Sequence, residues 1–239
     1  MNKDLIHSRF AKHLKDYKDN AKIQKIMAEK LISFCSQKEY KNILEIGCGT
    51  GFLTEQAVKN LKFENYTAID IVEDCEPFIK KIDERISFIC EDIEKYNNTL
   101  YDQDLIIANA SLQWTENFIE TVNNLVKHLN KGGELIFSTF GKENFREFFY
   151  IMGTSLEYYS ETELKQIFSD AIIYPPEIHI MSFNEPKDVL KHLKLTGVNA
   201  IENTVWTKKD LKRFEQEYSS ICGNKITLTY NPLYLKFSK

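Results

Sequence analysis

Three glycines at alternate positions, Gly47, Gly49 and Gly51, are the residues whose types and spacing most clearly indicate chemistry. They follow an apolar run at residues 43–46, typical of a buried parallel strand, and precede a helical pattern from Phe52 onward. Glycine permits a positive φ angle and a close approach of the backbone to a ligand, while the first N–H groups of a helix are free to bind an anionic group. The spacing therefore predicts a ligand cradle between a strand and a helix.

The glycine spacing separates this cradle from two common nucleotide-binding loops. The dinucleotide fingerprint has its third glycine where this chain has Phe52, and a triphosphate-binding loop would continue with Lys and then Ser or Thr. Instead, Glu45 stands two residues before Gly47. This pattern resembles the first motif of the class I S-adenosylmethionine-dependent methyltransferases. The resemblance implies that the turn, with Cys48 in it, faces the methionine end of the cofactor and that Glu45 orients its amino group. A glycine-rich turn without a ligand is the alternative.

Asp70 strengthens the case for an adenosyl ligand. It ends a second apolar run, residues 66–70, and a carboxylate at that strand tip can accept two hydrogen bonds from a ribose diol. Ligands of open α/β sheets bind at the carboxyl ends of the strands, so Asp92 and Asn109 should reach the same cleft. Asp92 is placed to accept a hydrogen bond from the adenine amine, with Ile93 against the base. The predicted S-adenosyl-L-methionine site comprises Glu45, Gly47, Cys48, Gly49, Gly51, Asp70, Ile71, Asp92, Ile93, Asn109 and Ala110.

Apolar runs alternate with helical patterns along the first 140 residues. Such alternation is typical of an α/β protein with right-handed parallel crossovers. We expect a doubly wound, mostly parallel seven-stranded sheet of the class I methyltransferase, Rossmann-like type, with helical cap insertions. The predicted strands cover residues 43–46, 66–70, 86–90, 104–109, 134–140, 177–183 and 225–237. The predicted helices cover residues 5–17, 20–34, 75–82, 117–129, 143–152, 161–169, 186–196 and 207–219.

One methyltransferase domain is expected to span residues 1–239, since no internal repeat, low-complexity tract or Gly/Ser linker divides the sequence. Its predicted parts are an N-terminal helical lid (1–40), a cofactor-binding core (41–140), a substrate-side cap with the sixth strand (141–224) and a terminal strand (225–239). Within the core, the Lys131-Gly-Gly133 segment is expected to stop the helix at 117–129.

The composition restricts the possible partners. The 239 residues carry a formal net charge of −4, which argues against the basic field that drives nucleic-acid binding. The N-terminus is too charged for a signal peptide, and no apolar run approaches the ~20 residues of a membrane-spanning helix. The five cysteines are scattered without a C-x-x-C pair, which argues against a disulfide framework or a zinc site. We expect a cytoplasmic protein without a metal, a membrane contact or a nucleic-acid partner.

Segments along the whole chain resemble the malonyl-[acyl-carrier protein] O-methyltransferases of biotin synthesis. The most diagnostic is Asn109-Ala-Ser-Leu-Gln-Trp114, which is similar to the family's Asn-Leu-x-x-Gln-Trp after the fourth strand. The segment after Asp70 lacks the family's usual Ser and Met-Leu, and Lys131 replaces a common Pro. The other matches are Phe10, Tyr17, Ala21, Gln24, 47–51, 91–94, 137–140, 144–147, Leu193, Lys194, Gly197, Trp206, Thr207, Leu211 and 228–230.

This resemblance implies methyl transfer from S-adenosylmethionine to the free carboxylate of malonyl-[acyl-carrier protein], or of malonyl-CoA, as an early step of biotin synthesis. A carboxylate with a pKa near ~4 is already anionic at neutral pH, so no general base is needed. The rate would come from in-line positioning in a site that excludes water.

Three residues are candidates for the methyl-transfer site. Tyr17 is expected to close over the cofactor and contact the sulfonium or the substrate, and Trp114 is expected to wall the acceptor pocket. Either ring could instead be a core aromatic. Arg146 is the expected bidentate clamp for the substrate carboxylate, with a surface arginine as the alternative.

An acidic carrier protein would need a local basic face on this enzyme. Two predicted helices offer one, and solvated helix faces are the alternative. The first carries Lys187, Lys191 and Lys194, and the second carries Lys208, Lys209, Lys212 and Arg213.

Three rival interpretations remain for the function. The nearest is a methyltransferase that acts on another small-molecule carboxylate, a phenol or a carbon acceptor. The second is a module that binds the adenosyl ligand without turnover. Nucleic-acid methylation ranks last, because Asn109 is followed by Ala110 and Ser111 rather than by Pro-Pro and an aromatic residue.

Overall fold

The computed structural model describes residues 3–96, 103–153, 156, 158–197, 207–223 and 225–239. Its helices are α1 (Lys3–Asn20), α2 (Lys22–Ser33), α3 (Phe52–Asn60), α4 (Glu76–Ile82), α5 (Phe118–Lys127), α6 (Arg146–Met152), α7 (Glu161–Ile167), α8 (Pro186–Leu195) and α9 (Lys208–Cys222). Its strands are β1 (Glu39–Ile46), β2 (Lys62–Asp70), β3 (Ser87–Cys90), β4 (Gln103–Asn109), β5 (Leu129–Phe140), β6 (Ile172–Tyr174), β7 (His179–Phe183), β8 (Ile226–Tyr230) and β9 (Pro232–Ser238). None of the helices in these ranges combines the length and apolar character that a membrane span requires.

Seven strands form one sheet in the order β3-β2-β1-β4-β5-β9-β6. The strands β1 to β5 are parallel, and β9 is antiparallel to both β5 and β6. The chain builds outward from β1 through β2 to β3, and then returns to the other side of β1 for β4. The topological switch point therefore lies between β1 and β4, where Ile46 pairs with Ala108. The predicted doubly wound, mostly parallel seven-stranded sheet is confirmed.

The buried side chains of β1 alternate between two apolar cores. Ile43 packs in a cluster with Leu31 of α2 and Leu53 of α3, whereas Leu44 packs in a second cluster with Leu125 of α5. Successive side chains of a strand point to opposite faces, so each face of the sheet is covered by helices. This packing holds the carboxyl ends of the parallel strands in fixed positions at one edge.

A third apolar cluster lies beyond the end of β5. Phe140 and Phe145 pack there with Phe214 and Tyr218 of α9 and with Tyr230 at the end of β8. The strands β7 and β8 pair only with each other, as an antiparallel ribbon. The second half of the chain thus forms an aromatic cap over the end of the sheet.

Three of the predicted elements were wrong in detail. The strand expected at 177–183 is β7, which pairs with β8 outside the seven-stranded sheet, and the place in the sheet is taken by β6, which was not predicted. The strand expected at 225–237 is divided at Asn231, so that β8 pairs with β7 and β9 pairs with β5 and β6. The helix expected to end at the glycine pair ends at Lys127, and both Gly132 and Gly133 belong to β5. The reason is tertiary, because the Gly132 N–H donates to the carbonyl of Lys239 and the Lys239 N–H donates to the carbonyl of Gly133. The expected match at Trp206 lies outside the described residues.

Candidate active site

A cavity opens at the carboxyl ends of the parallel strands. Twelve of the fourteen predicted site residues line it: Tyr17, Glu45, Gly47, Cys48, Gly49, Asp70, Ile71, Asp92, Ile93, Asn109, Ala110 and Trp114. The structure does not bring Gly51 or Arg146 to its wall. Lining residues to which we assigned no site role include Gln24, Ser111, Phe140, Phe145, Tyr158 and Thr196.

The glycine turn after β1 has the backbone conformation that its sequence predicts. Gly47, Gly49 and Gly51 all have positive φ angles, of 67°, 51° and 87°. A Cβ atom on Gly47 would lie 2.3 Å from the Cβ of Ser111, so a side chain there would displace the segment that follows β4. Gly51 instead faces Ile82 of α4 and starts α3 in the left-handed region. Gly51 therefore has a role in packing, and its predicted contact with the ligand stays a prediction.

Asp70 is fixed to the glycine turn by its side chain. Its two carboxylate oxygens accept hydrogen bonds from the backbone N–H groups of Gly49 (2.8 Å) and Val72 (2.9 Å). Burial raises the pKa of this carboxyl above its usual value, although both hydrogen bonds oppose the shift. Each carboxylate oxygen has two lone pairs, so capacity remains to accept a further hydrogen bond from a ligand hydroxyl.

Glu45 lies beneath the glycine turn with only 1% of its surface exposed. One of its oxygens accepts hydrogen bonds from the hydroxyls of Thr54 (2.7 Å) and Tyr66 (2.5 Å). Burial raises the pKa of Glu45 to about 7. A cationic group bound in the cavity would favour the ionised form of this carboxyl.

The third acid, Asp92, follows β3 at the other end of the cradle. Its carboxylate pairs with the ammonium of Lys3 at 2.6 Å, and Lys3 also donates to Glu94. The Asp92 side chain is only partly exposed, at 12%. Three carboxylates thus line one cavity, and each lies at or just after the end of a different parallel strand.

The segment after β4 forms the wall next to the glycine turn. The Ser111 hydroxyl donates to the Ile46 carbonyl (2.7 Å), and the Gln113 side-chain amide donates to the Ala110 carbonyl (2.7 Å). These bonds hold a short 3₁₀ turn that ends at Trp114. Asn109 has a positioning role, since its amide donates to the Gln24 carbonyl (2.9 Å).

Aromatic side chains line two parts of the cavity. Tyr17 of α1 packs edge-on against Phe10 with 5.1 Å between ring centroids, and lies 5.9 Å from Phe52. Burial raises the pKa of the Tyr17 hydroxyl, so the phenol remains protonated at neutral pH. Phe10 and Tyr17 lie over the glycine turn, where Phe10 is next to Gly49. Phe140, Phe145 and Tyr158 form a separate aromatic wall. The cavity therefore has an acidic half and an apolar, aromatic half.

The structure corrects the expected position of Arg146. Its guanidinium is half-exposed and pairs with Glu143 at 3.3 Å, outside the cavity wall. The next residue, Glu147, points inward and accepts a hydrogen bond from the backbone N–H of Thr229 at 2.9 Å. Successive helix residues are about 100° apart around the axis, so burial of Glu147 turns Arg146 outward.

The fold and the acid-lined glycine cradle define a methyltransferase of class I. The family model of the methyltransferase domain matches residues 19–171. The solved N-methyltransferase NodS from Bradyrhizobium japonicum, in complex with S-adenosyl-L-homocysteine, superposes with a TM-score of 0.58 at 16% identity and 98% coverage of both chains. The YcgJ protein from Bacillus subtilis superposes with a TM-score of 0.64 at 10% identity, covering 89% of this chain and 97% of that chain. These structural likenesses show the fold.

Sequence relatives narrow the class. A malonyl-[acyl-carrier protein] O-methyltransferase of Calditerrivibrio nitroreducens is 36% identical, covering 93% of this chain and 91% of the relative. One from Chlorobium luteolum is 32% identical, covering 97% of this chain and 94% of the relative. This chain belongs to the malonyl-[acyl-carrier protein] O-methyltransferase family.

Proposed function

We propose that this protein transfers the methyl group of S-adenosylmethionine to the free carboxylate of malonyl-[acyl-carrier protein], or of malonyl-CoA, and so forms a methyl ester early in biotin synthesis. The observation that carries the proposal is one cavity that is lined both by an acidic glycine cradle and by an aromatic wall. Family membership supplies the acceptor class, because the relatives are named for it.

The donor set of the acidic half fits the cofactor. Glu45 would face the methionine amino group, Asp70 would accept from the ribose hydroxyls, and Asp92 would accept from the adenine amine. Within the described residues, Thr50 Oγ1 and Gln113 Oε1 are buried, line the cavity and have no hydrogen-bond partner. Such groups are rare unless a ligand or water satisfies them, which supports a polar ligand here. When bound, the cofactor supplies an electrophilic methyl group on a sulfonium.

The aromatic half suits an acceptor that needs no deprotonation. A carboxylate with a pKa near ~4 arrives ionised, so the protein has only to orient it and exclude water. Tyr17 on α1 would close this space, and Trp114 would form part of its wall. A low-dielectric pocket favours a reaction in which a cation and an anion neutralise each other.

The outer surface behind the aromatic half would dock the carrier protein. The helix α9 buries Phe214 and Tyr218 against Phe140 and Phe145 of the aromatic cap. Its opposite face presents four exposed basic side chains: Lys208, Lys209, Lys212 and Arg213. Complementary charge would orient an acidic carrier there. Each basic face has one paired residue, since Lys187 of α8 pairs with Glu185 at 2.8 Å and Arg213 of α9 pairs with Glu217 at 3.7 Å. The face on α8 is the weaker candidate because it has fewer basic residues.

The deciding experiment is a product assay by mass spectrometry. Purified protein is incubated with S-adenosylmethionine and either malonyl-carrier, malonyl-CoA or aconitate, with a matched reaction that lacks the cofactor. We expect malonyl-carrier to gain one methyl group as an ester that alkali hydrolyses. Methylation of aconitate alone would overturn the proposed acceptor. Calorimetric binding of S-adenosylhomocysteine with no methyl transfer to any acceptor would instead indicate a binding module.

A further inference from the structure

In the part of the chain that the structure describes, the aromatic half of the cavity has no lysine, arginine or histidine side chain to bind the carboxylate of an acceptor. Among the described residues that line the cavity, Lys3 is the sole lysine, arginine or histidine, and it is held by Asp92 and Glu94 at the acidic end. The parts of the sequence outside the described ranges contain no lysine, arginine or histidine. The acceptor must therefore be recognised by neutral hydrogen-bond donors.

Gln24 of α2 is the polar side chain best placed for this task. It is 5% exposed, it lines the cavity, and its Oε1 has no hydrogen-bond partner within the described part of the chain. Its helix neighbours divide between two clusters, since Met27 packs with Phe140 and Tyr158 whereas Ala28 packs in the cluster that contains Phe52. The Gln24 side chain therefore lies where the aromatic wall meets the glycine cradle.

The backbone at Gln24 is anchored to the ends of two strands. Asn109 at the end of β4 donates its amide to the Gln24 carbonyl at 2.9 Å, and the Ser138 hydroxyl of β5 donates to the Asn109 Oδ1 at 2.7 Å. This chain of hydrogen bonds fixes α2 across the sheet edge. The backbone of Gln24 is thus held in place by the strand ends, and its side chain remains available to bind a ligand.

Two other polar side chains in this half already have hydrogen bonds, although the Tyr158 hydroxyl is engaged only as an acceptor and can still donate to a ligand. The Tyr158 hydroxyl accepts from the Asn144 amide at 3.2 Å, and the Thr196 hydroxyl donates to the His192 carbonyl at 3.0 Å. A buried amide oxygen without a partner is unfavourable unless a ligand or water supplies one. Since the oxygen and nitrogen of a glutamine amide exchange places on a half-turn, the side chain can present its NH₂ group to an anion.

We propose that Gln24 binds the acceptor carboxylate through its side-chain amide and thereby selects a carboxylic acid as the methyl acceptor. This inference rests on the proposed function. A neutral donor suits the chemistry better than a cation, because the carboxylate loses its charge as the methyl group is transferred. A cation would stabilise the charged ground state more than the transition state, and would bind the acceptor while slowing the reaction.

The test compares Gln24→Met and Gln24→Glu with Gln166→Met, an exposed glutamine of α7. The acceptor KM, kcat and the Kd of S-adenosylhomocysteine are measured for each. We expect Gln24→Met to lower kcat/KM for malonyl-carrier about tenfold or more, as for a lost hydrogen bond to a charged group. The Kd of S-adenosylhomocysteine should stay within twofold, and Gln166→Met should match the wild type.

The pH dependence of the Gln24→Glu variant distinguishes a direct contact with the acceptor from a purely structural role of Gln24. The introduced carboxyl repels the acceptor when it is ionised, whereas its protonated form can donate a hydrogen bond to the acceptor. The activity of this variant relative to wild type should therefore rise as the pH falls from 8 to 6. Unchanged acceptor kinetics in Gln24→Met, or a parallel loss of S-adenosylhomocysteine affinity, would overturn the inference.

The wild-type reaction separates this inference from the proposed function. If the wild type methylates a different carboxylic acid, the proposed function fails and the same variants are compared with that acid. If the wild type methylates only a phenol or a carbon acceptor, both the proposed function and the inference about Gln24 are wrong.

Discussion

Lys3 at the start of α1 and Asp92 after β3 are joined by an ion pair of 2.6 Å across 89 residues of sequence. The same helix carries Phe10 and Tyr17, which line the cavity farther along. The ion pair therefore fastens the N-terminal helix beside Asp92, while its aromatic side chains cover the glycine turn. Loosening this helix should open the part of the cavity wall that its rings form.

Replacing Lys3 by Met should speed the release of S-adenosylhomocysteine. The pair is partly exposed, so its loss should raise the dissociation rate about two- to fivefold. Stopped-flow displacement would measure the rate, and added salt should produce the same trend in the wild type but little change in Lys3→Met. Lys12→Met, an exposed position on the same helix, is the control. An unchanged rate in Lys3→Met would show that the ion pair does not restrain the helix.

The raised pKa of Glu45 should make cofactor binding depend on pH. A cationic amino group pairs with the ionised carboxylate, whose pKa in the free protein is about 7. Affinity for S-adenosylhomocysteine should therefore rise about tenfold between pH 6 and pH 8, with proton release below pH 7. Calorimetry in buffers of different ionisation enthalpy would measure both. Glu45→Gln should bind more weakly at pH 8 and lose the pH dependence; a dependence that survives this substitution would assign it to another group.

The same shift fixes how Glu45 affects stability in the free protein. Its folded-state pKa of about 7 lies above the ordinary value of 4.5, so the folded protein binds the proton more tightly than the unfolded chain. The contribution of Glu45 to the free energy of unfolding should fall as the pH rises from 4.5 to 7, and then stay constant. Denaturant titrations at several pH values should show Glu45→Gln gaining stability relative to wild type across that window. A relative loss would contradict the sign of the shift.

Gly47 should tolerate substitution far less than another glycine of similar backbone conformation. Gly47→Ala would place a Cβ 2.3 Å from that of Ser111, and Gly132→Ala, at φ 81°, would meet nothing within 4 Å. We expect Gly132→Ala to cost about 1 kcal/mol, from the left-handed backbone alone. Gly47→Ala should cost about 3 kcal/mol, since overpacking adds to the same strain. Denaturant unfolding measures the stability of both variants. Equal losses of stability would mean that the segment around Ser111 moves aside at little cost.

The positions of the acidic residues were predictable because each lies at the end of its strand or within a few positions of it. The order of Glu45, the glycines and Asp70 along the chain is enough to predict the strand, the turn and the helix that position them. Gln24 could not be assigned a role in this way, since its place in the cavity depends on where α2 crosses β4. The direction of Arg146 was equally hidden, because it depends on the burial of Glu147 against β8.

The division of the terminal strand shows a similar limit. The residues from 226 to 238 are apolar enough to form one continuous strand. Asn231 interrupts it, because its side chain contacts Gly141 and its backbone carbonyl accepts from the Gly141 N–H at 2.8 Å. That contact joins residues 90 positions apart, so no local pattern reports it.

Charge reversal on α9 should weaken the reaction with the carrier-bound acceptor specifically. A variant that replaces Lys208, Lys209, Lys212 and Arg213 by Glu should raise the KM for malonyl-carrier about tenfold or more, because rim charges steer association. The KM for malonyl-pantetheine, which has no acidic protein surface, should stay within twofold. Steady-state kinetics at low and moderate salt would also show a loss of salt dependence.

The matched control reverses four exposed lysines near the opposite edge of the sheet. Lys38, Lys41, Lys59 and Lys131 lie at or close to the amino ends of β1, β2 and β5, far from the strand ends that form the cavity. This variant makes the same change in net charge, so it separates a local docking face from a general electrostatic effect. If both variants raise the KM for malonyl-carrier equally, α9 is not the docking face and the carrier senses only the total charge of the enzyme.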